Sequence, residues 1–307
     1  MKVKTIGTKK IAKNTAAAIG FFDGIHLAHQ TLIETMVKVA ETRQLEKAVI
    51  TFDKHPKHVL FDMDYYYITP LEDKLSYLKR YPIDVVYVIE FDKAKASMDP
   101  LDFINEVLNP LDVLVCGFDF TFGYRAEGNK DLLKKHGQFE TIIIDEMTYL
   151  GEKIGSTRIR TLIRAGEVDK VKPFLGDYYR LKGVVIHGKK QGRTLTYPTA
   201  NIQIKDYLIP KKGVYASLTK VRGKWYRSMT SVGINPTLHR RQSISVESYL
   251  FDFDETIYGE TIEVAFIKRL REEKKFASIE ALIQAIKADE GKALKILKGV
   301  SIDGRDI

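Results

Sequence analysis

The segment TAAAIGFFDGIHLAHQTLIETMVKVAETRQL, residues 15–45, decides the fold of the first half of the chain. Residues 15–20 form a short apolar run that predicts a buried strand, and residues 27–45 place apolar side chains at helical spacing. The turn between them carries His26 and His29, which fall one helical turn apart on the same helix face. The segment therefore predicts a strand-to-helix turn at which two imidazoles lie beside free backbone N–H groups, an arrangement that attracts phosphate.

Strands and helices continue to alternate through the first half of the chain. Runs of continuous apolar residues predict buried strands, and segments with helical periodicity separate them. Such alternation predicts a parallel sheet covered by helices, in which ligands bind at the carboxyl ends of the strands. The histidine-bearing turn follows the first of these strands and so lies at that end. The further predicted strands span residues 47–52, 84–91, 112–118 and 139–147, and the further helices span 71–80 and 99–108, the latter with Asp99 as N-cap and Pro100 at the first position.

The pattern changes from residue 180 onward. Short β-branched and aromatic segments punctuated by glycine predict an antiparallel barrel or sandwich. A helix is predicted over residues 278–297 with a break at Gly291, and the polar C-terminal tail KGVSIDGRDI is expected to fray. Residues 1–180 hold 26 basic and 26 acidic residues, whereas residues 181–307 hold 23 and 14, so the net charge of +9 lies in the second part. This change in sequence pattern and net charge predicts a domain boundary near residue 180.

The composition restricts the class of protein. The 307 residues are 44% hydrophobic and 29% charged, the balance of a globular protein with a core. No apolar run approaches the ~20 residues that cross a bilayer, and the N-terminus lacks the apolar block of a secretory signal. Cys116 is the one cysteine, so an intramolecular disulfide is excluded, and its apolar surroundings predict a buried, inert thiol. We therefore expect a soluble cytoplasmic protein.

The histidine pair suits phosphate chemistry. Two imidazoles can donate to oxygens of a triphosphate whose α-phosphorus is under attack. A zinc site is disfavoured because no further histidine or cysteine lies nearby in the sequence. The alternative, that two of the seven histidines lie near a turn by chance, stays open on this pair alone. The segment GVVIHGKK (183–190) fits the start of a Walker A motif, but Lys190 stands where Ser or Thr is needed, so a P-loop is rejected.

Several motifs, in order along the chain, carry a resemblance to a known family. The stretch GFFDGIHLAH resembles the Gly-x-Phe-Asp-Gly-x-His-x-Gly-His signature of the nucleotidyltransferase superfamily, and in particular of the prokaryotic bifunctional riboflavin kinase/FMN adenylyltransferase (FAD synthetase) family. Further motifs similar to those of the adenylyltransferase half are TFDKHP (51–56), GFDFTFGYRAEGN (117–129) and GSTRIR (155–160). Those similar to the kinase half are GRTLTYPTANI (192–202), GVYA (213–216), SVGINPTL (231–238), VESYLFDFDETIYGE (246–260) and FIKRLREEKKF (266–276).

The resemblance implies a fold and two activities. Residues 1–179 would form an α/β nucleotidyltransferase-like domain with a Rossmann-like parallel sheet, which adenylylates FMN to FAD with release of pyrophosphate. Residues 180–307 would form an antiparallel β-barrel with a terminal helix, which phosphorylates riboflavin to FMN. ATP would be the co-substrate of both reactions, Mg²⁺ the cofactor, and flavins the substrates and products. No membrane and no nucleic acid is expected as a partner, and the oligomeric state is not predicted.

For the adenylyltransferase half, the resemblance implies a set of phosphate-binding residues. His26 and His29 would be catalytic by contacting ATP phosphates, and Asp23 and Gly24 would shape the loop. Ser156, a good N-cap, would begin the helix that holds the departing pyrophosphate. The full set expected to bind ATP or its phosphates comprises Gly20, Phe22, Asp23, Gly24, Asp119, Thr121, Ser156, Thr157 and Arg160. Without the motif, Arg160 would be interpreted as a solvated helix arginine.

For the kinase half, the resemblance implies that Glu247 is the general base that takes the proton of the attacking hydroxyl. Strand alternation puts Glu247 on one face with two aromatic residues, which suits a flavin pocket, although an edge-strand glutamate paired with a basic residue is the commoner case. Thr199 and Asn201 would hold Mg²⁺ and phosphate because a hard cation prefers oxygen ligands. Asn201 and Arg271 would contact the flavin, and the alternative for Arg271 is a charge on a helix surface.

The chain departs from the family pattern at four positions. Ala28, Lys54, Gly155 and Thr196 stand where the family usually has glycine, proline, serine and glycine. These differences leave open an alternative in which one half has lost its activity, namely a monofunctional FAD synthetase whose kinase-like barrel is inactive. A second alternative, a nucleic-acid-binding or regulatory protein, follows from the basic second half, but its basic residues are scattered.

Overall fold

The computed structural model describes residues 1–6, 11–61, 63–187, 197–235 and 243–306. The chain divides into two compact units, Met1–Ser156 and Thr157–Ile307. The first unit is a helix-covered sheet and the second is a barrel.

The first unit is built on six parallel strands in the order β1-β4-β3-β2-β5-β6. The predicted parallel sheet is therefore confirmed. Each predicted strand of this sheet is present. The edge strand β1 was not predicted, because four of its five residues are exposed and its sequence has no continuous apolar run. The strands are β1 (Lys2–Ile6), β2 (Thr15–Ile19), β3 (Glu46–Phe52), β4 (Val85–Ile89), β5 (Val113–Gly117) and β6 (Glu140–Ile144).

Helices cover both faces of this sheet. The first helix directly follows the β2 turn, as predicted, and buries Leu32, Ile33 and Met36. Asp99 caps α5 through a 2.7 Å hydrogen bond from the backbone N–H of Leu101, and α5 continues into a π-helical turn at Ile104–Leu108. The helices are α1 (Leu27–Arg43), α2 (Pro56–Phe61), α3 (Leu71–Leu78), α4 (Lys93–Ala96), α5 (Pro100–Phe103) and α6 (Lys130–His136); a short hairpin of β7 (Thr148–Tyr149) and β8 (Glu152–Lys153) precedes α7 (Ser156–Ala165).

Strand β2 lies at the centre of the sheet and is buried on both sides. Ala17 and Ile19 belong to the apolar cluster on one face, and Ala16 and Ala18 belong to the cluster on the other. The period of two that separates these sets is that of an extended strand. Because the strands are parallel, the segments that follow β2, β3 and β5 all emerge at the same edge of the sheet, and the sequence motifs of the first half lie there.

The second unit contains a closed barrel of six antiparallel strands in the order β10-β13-β12-β11-β14-β9. Of the two predicted alternatives, barrel or sandwich, the barrel is confirmed. The strands are β9 (Tyr179–Ile186), β10 (Ala200–Ile204), β11 (Gly213–Val221), β12 (Lys224–Asn235), β13 (Ser243–Leu250) and β14 (Thr261–Arg271); α8 (Lys172–Leu175) precedes them and α9 (Ile279–Leu297) follows.

The barrel has different cores inside and outside. Helix α9 packs Ala293 and Leu297 against an outer apolar cluster that includes Ala216 and Leu218. Inside, five fully buried hydroxyl side chains hydrogen-bond to one another at 2.7–3.1 Å, which satisfies polar groups that water cannot reach. They belong to Ser217, Thr219, Ser228, Thr230 and Ser248.

Two expectations for the C-terminal region were wrong. Helix α9 runs without a break through Gly291, where an added Cβ would meet open space. The tail does not fray but forms a hairpin of β15 (Ser301–Ile302) and β16 (Arg305–Asp306). Ile302 is buried in the outer apolar cluster, and Asp303 lies 3.0 Å from the Arg180 guanidinium. The apolar side chains of Ile302 and the partly buried Val300, together with one carboxylate, therefore fix a tail whose composition is otherwise polar.

Candidate functional site

The turn between β2 and α1 has a strained backbone. Phe22 and Ile25 have positive φ angles of 55° and 42°, and Gly24 has a φ of 88°. Only glycine adopts such angles without cost, so the two other residues must be held by their surroundings. A Cβ at Gly20 would lie 3.3 Å from the Phe22 ring, which explains why glycine stands there.

Asp23 holds this turn from inside the protein. Its carboxylate is buried and accepts hydrogen bonds from the backbone N–H groups of Ile68 at 2.8 Å and Thr69 at 3.1 Å. The Ser156 hydroxyl, at the start of α7, donates to the Asp23 carbonyl at 2.9 Å. These contacts support the expectation that Asp23 shapes the loop, and they bring the GSTRIR motif to it.

The two histidines lie face to face at the start of α1. Their ring centroids are 3.6 Å apart with an interplanar angle of 18°, and Phe22 contacts His29 edge-on. His26 is the N-cap residue of α1, and its Nδ1 accepts from the backbone N–H of His29 at 3.4 Å. A ring nitrogen that accepts carries no proton, so the proton of neutral His26 lies on Nε2, where it is available to a ligand. The buried Nδ1 of His29 has no hydrogen-bond partner among the described residues.

Both imidazoles are neutral at neutral pH. Burial lowers the pKa of His26 to about 4, with a further lowering by Lys153 that Asp119 opposes. Burial also holds the pKa of His29 well below its usual range, and the nearby His26 and Lys74 add to this effect. The pair therefore offers N–H donors to a phosphate without itself bearing charge.

Asp119 lies near His26, as its effect on the pKa of His26 shows, and the structure pairs it with a residue that the sequence did not indicate. Lys153, on β8, approaches the Asp119 carboxylate at 2.6 Å, and its ammonium lies 4.4 Å from the centre of the Phe118 ring. Thr121, two residues further on, is exposed. A positive charge is thus held beside the histidine pair by an exposed hairpin.

Thr157 and Arg160 belong to the second unit by their contacts. Thr157 is exposed, whereas Arg160 is buried with 8% of its surface accessible. The interpretation of Arg160 as a solvated helix arginine is therefore wrong. Its predicted contact with pyrophosphate stays a prediction.

The TFDKHP motif contributes an aromatic cluster at the end of β3. The His55 ring stacks on Tyr65 with centroids 3.9 Å apart and meets Phe21 edge-on at 4.9 Å. Tyr67 in turn stacks on Phe21 at 6.1 Å. His55 of the motif and Tyr67 outside it therefore both contact Phe21, the residue that precedes the strained part of the loop.

Three of the four departures from the family pattern can be located. Ala28 lies in the first turn of α1 and is partly buried, and Lys54 is exposed beside Asp53. At Gly155 an added Cβ would meet nothing closer than 3.9 Å, so the site has room for the usual serine. Thr196 lies outside the described residues.

Lys74 is a buried residue of this region that the motifs did not reveal. It is 2% exposed on α3, and its ammonium donates to the carbonyl of Phe21 at 2.6 Å. A signal was present in the sequence: with Leu71, Leu75 and Leu78, position 74 completes the i, i+3, i+4, i+7 face of an amphipathic helix. A lysine on the apolar face of a helix indicates a buried charge with a specific partner.

The predicted kinase residues come together on the outer face of the barrel. Asn201 on β10 and Glu247 on β13 are direct cross-strand partners, so their side chains share a face. The Thr199 hydroxyl lies 3.5 Å from the Glu247 carboxylate. Three oxygen-bearing side chains therefore converge, and this donor set suits a hard cation such as Mg²⁺.

Aromatic residues border this group. The predicted alternation is confirmed, because Val246 and Ser248 are buried inside the barrel while Glu247 and Tyr249 are partly exposed. The Tyr197 ring meets Tyr249 edge-on at 5.2 Å. Burial and the carboxylate of Glu290 on α9 raise the pKa values of both tyrosines. Glu290, which the sequence did not single out, therefore lies near this face.

Arg271 is the last residue of β14, so its interpretation as a charge on a helix surface is wrong. Its Nε donates to the buried carboxylate of Asp289 on α9 at 2.6 Å, and its Nη1 donates to the carbonyl of Glu272 at 2.9 Å. The guanidinium thus fastens α9 to the barrel. Its predicted flavin contact stays a prediction.

Within the part of the chain that the structure describes, no three His, Cys, Asp or Glu side chains are grouped so that they could hold a metal ion. No helix among the described residues has both the length and the apolar content needed to span a membrane.

Comparison with known proteins gives one family match for the sheet and another for the barrel. Residues 8–158 match the family model described as FAD synthetase, and residues 175–297 match the model described as riboflavin kinase. The fold and the two matches therefore define a protein in which an FAD synthetase-type sheet is joined to a riboflavin kinase-type barrel. The chain belongs to the family of bifunctional riboflavin kinase/FMN adenylyltransferases.

Individual relatives span nearly the whole chain. The bifunctional riboflavin kinase/FMN adenylyltransferase of Listeria monocytogenes is 42% identical over 284 residues, covering 90% of each chain. That of Bacillus subtilis is 38% identical over 300 residues, covering 94% of each. A solved structure described as a macrolide-efflux protein from Streptococcus pneumoniae has a TM-score of 0.87 and 32% identity, covering 96% of this chain and 99% of the other.

Proposed function

We propose that this chain carries out both reactions of its family, the phosphorylation of riboflavin to FMN and the adenylylation of FMN to FAD, each with ATP. The observation that supports the proposal is that one chain carries both a stacked histidine pair and a convergent group of oxygen-bearing side chains. The stacked histidines lie at the head of α1, and Thr199, Asn201 and Glu247 converge on the barrel.

In FAD formation, an oxygen of the FMN phosphate attacks the α-phosphorus of ATP, and the bond to the β-phosphate oxygen breaks to release pyrophosphate. No side-chain nucleophile is needed, so the protein positions two anions and stabilises the charge that develops. His26 would donate a hydrogen bond from its Nε2–H to a phosphate oxygen, and His29 would do so from its own ring N–H. Arg160 and the first residues of α7 would hold the pyrophosphate, because a helix N-terminus favours negative charge.

In FMN formation, the terminal hydroxyl of riboflavin attacks the γ-phosphorus of ATP and ADP leaves. Glu247 would accept the hydroxyl proton as the new bond forms. Thr199 and Asn201 would hold Mg²⁺, which supplies positive charge to the phosphates when bound. Tyr249, beside Glu247, would border the flavin, and Arg271 would support that side of the pocket through α9.

The two activities would divide between residues 1–179 and 180–307. The family-model boundaries at residues 158 and 175 support a division in this region. The partners would be flavins and ATP, with no nucleic acid. A cytoplasmic location is supported by the single cysteine, which is buried within β5 and suits a protein that relies on no disulfide.

A product assay with matched variants tests the proposal. Purified protein receives ATP and Mg²⁺ with either riboflavin or FMN, and HPLC separates the flavins. We expect wild type to form FMN and FAD from riboflavin, and FAD from FMN. His29→Ala should lose FAD formation and keep FMN formation, whereas Glu247→Ala should do the reverse.

Each other outcome has a definite meaning. FAD from FMN with no product from riboflavin would establish the monofunctional alternative. Loss of both activities in one folded single variant would contradict the assignment of two sites. No product in either tube, with oxidised or reduced flavin, would overturn the proposal and favour a binding role, which a salt-dependent RNA gel shift would then examine.

A further inference from the structure

Lys74 is buried beneath the histidine-bearing loop, and neither reaction as described uses it. Its ammonium donates to the Phe21 carbonyl at 2.6 Å and to the Thr51 hydroxyl at 3.2 Å. The Thr51 hydroxyl also donates to the Phe21 carbonyl, at 3.1 Å. The ammonium lies 4.4 Å from the centre of the Phe21 ring as well. Four contacts thus join one helix, one strand end and the first residue of the loop.

The loop needs such support because its backbone is strained. Phe22 and Ile25 have positive φ angles, which persist only where neighbouring structure fixes them. Helix α3 and the residues before it bind the loop at the two residues that flank Phe22. Asp23 is bound by the backbone at Ile68 and Thr69, and Phe21 is bound by Lys74.

The charge of Lys74 strengthens its hydrogen bond to the loop. An ammonium removed from water is costly unless hydrogen bonds and opposite charges compensate. Asp23 in the loop and Asp53 after β3 favour the charged form, and burial opposes it, so the pKa of Lys74 is lowered to about 8. His29 on α1 is the other titratable group that faces it. Near neutral pH the bond to Phe21 is therefore made by a cation, which makes it stronger than one from a neutral amine.

We infer that Lys74 is a positioning residue for FAD formation: its ammonium fixes the Phe21 carbonyl and thereby holds the His26–His29 loop in its reactive conformation without contacting substrate. This inference rests on the proposed function of the histidine pair. It assigns to α3 a role in catalysis that depends on a charge and not only on packing.

The first test compares Lys74→Met with Lys79→Met, a matched change at an exposed lysine just after the same helix. A loop displaced by about 1 Å costs on the order of 100-fold in rate, so we expect Lys74→Met to lower kcat for FAD formation by one to two orders of magnitude. KM for ATP should change far less. Riboflavin phosphorylation by the same sample, which reports on the other unit, should stay within a factor of two, as should both activities of Lys79→Met.

The second test is the pH profile, which a purely structural role would not move. As pH rises above about 8, Lys74 loses its proton, so kcat for FAD formation should fall in wild type. Lys74→Arg, which stays charged throughout, should retain substantial activity and remain flat between pH 7.5 and 9.5.

Each outcome supports or overturns either the proposed function or the role of Lys74. If wild type makes no FAD from FMN, the proposed function itself fails. If wild type makes FAD and folded Lys74→Met matches it, only the role of Lys74 fails. Should Lys74→Met lose its cooperative thermal transition, the pH profiles decide: a wild-type rate that is flat up to pH 9.5, or one that falls identically in Lys74→Arg, overturns the inference.

Discussion

At the scale of single residues, the stacked histidines show how burial sets chemistry. Two imidazolium rings 3.6 Å apart would repel each other, and removal from water disfavours the charged form of each. The positive charges near the loop are therefore those of the lysines, Lys74 below it and Lys153 beside it. The histidines contribute directed N–H groups, which discriminate position better than a mobile cation does.

This arrangement predicts an acid sensitivity of the first unit. The pKa of His26 is about 4 in the folded protein and 6.5 without burial, so the unfolded chain takes up the proton first as pH falls. The stabilisation is complete above pH 6.5 and is lost towards pH 4. From pH 7 to pH 5 we expect His26 to account for a loss of about 2 kcal/mol in the free energy of unfolding.

Urea unfolding followed by far-UV circular dichroism at pH 7, 6 and 5 measures this loss. His26→Asn keeps a side chain that can cap α1 but cannot be protonated, so its stability should depend less on pH. His136→Asn, at an exposed histidine, is the control and should follow wild type. Identical pH dependence in His26→Asn and wild type would show that His26 is not buried in its neutral form.

At the scale of elements, the sequence predicted what local pattern determines. Continuous apolar runs identified the central strands of the parallel sheet, and alternation identified the face of β13 that carries Glu247. The break predicted at Gly291 was wrong because a helical glycine costs only about 1 kcal/mol. Contacts of α9 with the barrel, including the Arg271–Asp289 ion pair, outweigh that cost.

In the candidate site too, local pattern could be predicted from the sequence and contacts between distant residues could not. Local patterns predicted that His26 and His29 lie at the strand-to-helix turn after β2 and that Glu247 lies on a strand, and the structure has them at the start of α1 and on β13. Their roles stay predictions. Lys74 and Glu290 were not identified: the apolar face of α3 marks Lys74 as a buried charge, but the partners of both residues are distant in sequence. Only the folded chain shows that Lys74 reaches Phe21, 53 residues earlier.

The C-terminal hairpin gives a prediction at this scale. Asp303 accepts a hydrogen bond from the Trp225 indole at 2.9 Å and pairs with Arg180 and Lys220. Partial burial raises its pKa, but these partners outweigh burial and lower the pKa of Asp303 to about 2. Because a hydrogen bond to a charged group contributes about 1.5–3 kcal/mol at most, we expect Asp303→Asn to destabilise the second unit by about 1–2 kcal/mol.

Fluorescence reports this unit selectively, because Trp225 is the one tryptophan of the chain. Urea unfolding should shift to lower concentration in Asp303→Asn, and the difference from wild type should vanish as pH falls from 4 to 2, when the carboxyl of wild type takes up its proton. Asp254→Asn, at an exposed aspartate, should leave the transition unchanged. An unshifted transition in Asp303→Asn would mean that apolar packing, chiefly of Ile302, retains the hairpin without the carboxylate.

At the scale of the whole molecule, the histidine pair and the group around Glu247 lie in separate compact units, so a defect in one should leave the other intact. We expect an equimolar mixture of His29→Ala and Glu247→Ala to convert riboflavin to FAD, although neither variant does so alone. FMN made by the first variant would be consumed by the second after a lag. A mixture that accumulates FMN but no FAD, with wild type active, would show that FMN must pass within one molecule.

The two sheets also differ in whether they have open edges to which another strand could add. The closed barrel pairs each of its described strands on both sides, whereas the parallel sheet ends at β1 and β6 with unpaired backbone groups. Strand β1 is short and exposes Lys2 and Lys4. Lysines on an edge strand hinder the addition of a further strand because their burial would be costly. Protection against aggregation at this edge of the sheet thus falls to two lysine side chains of β1, for which neither reaction has a use.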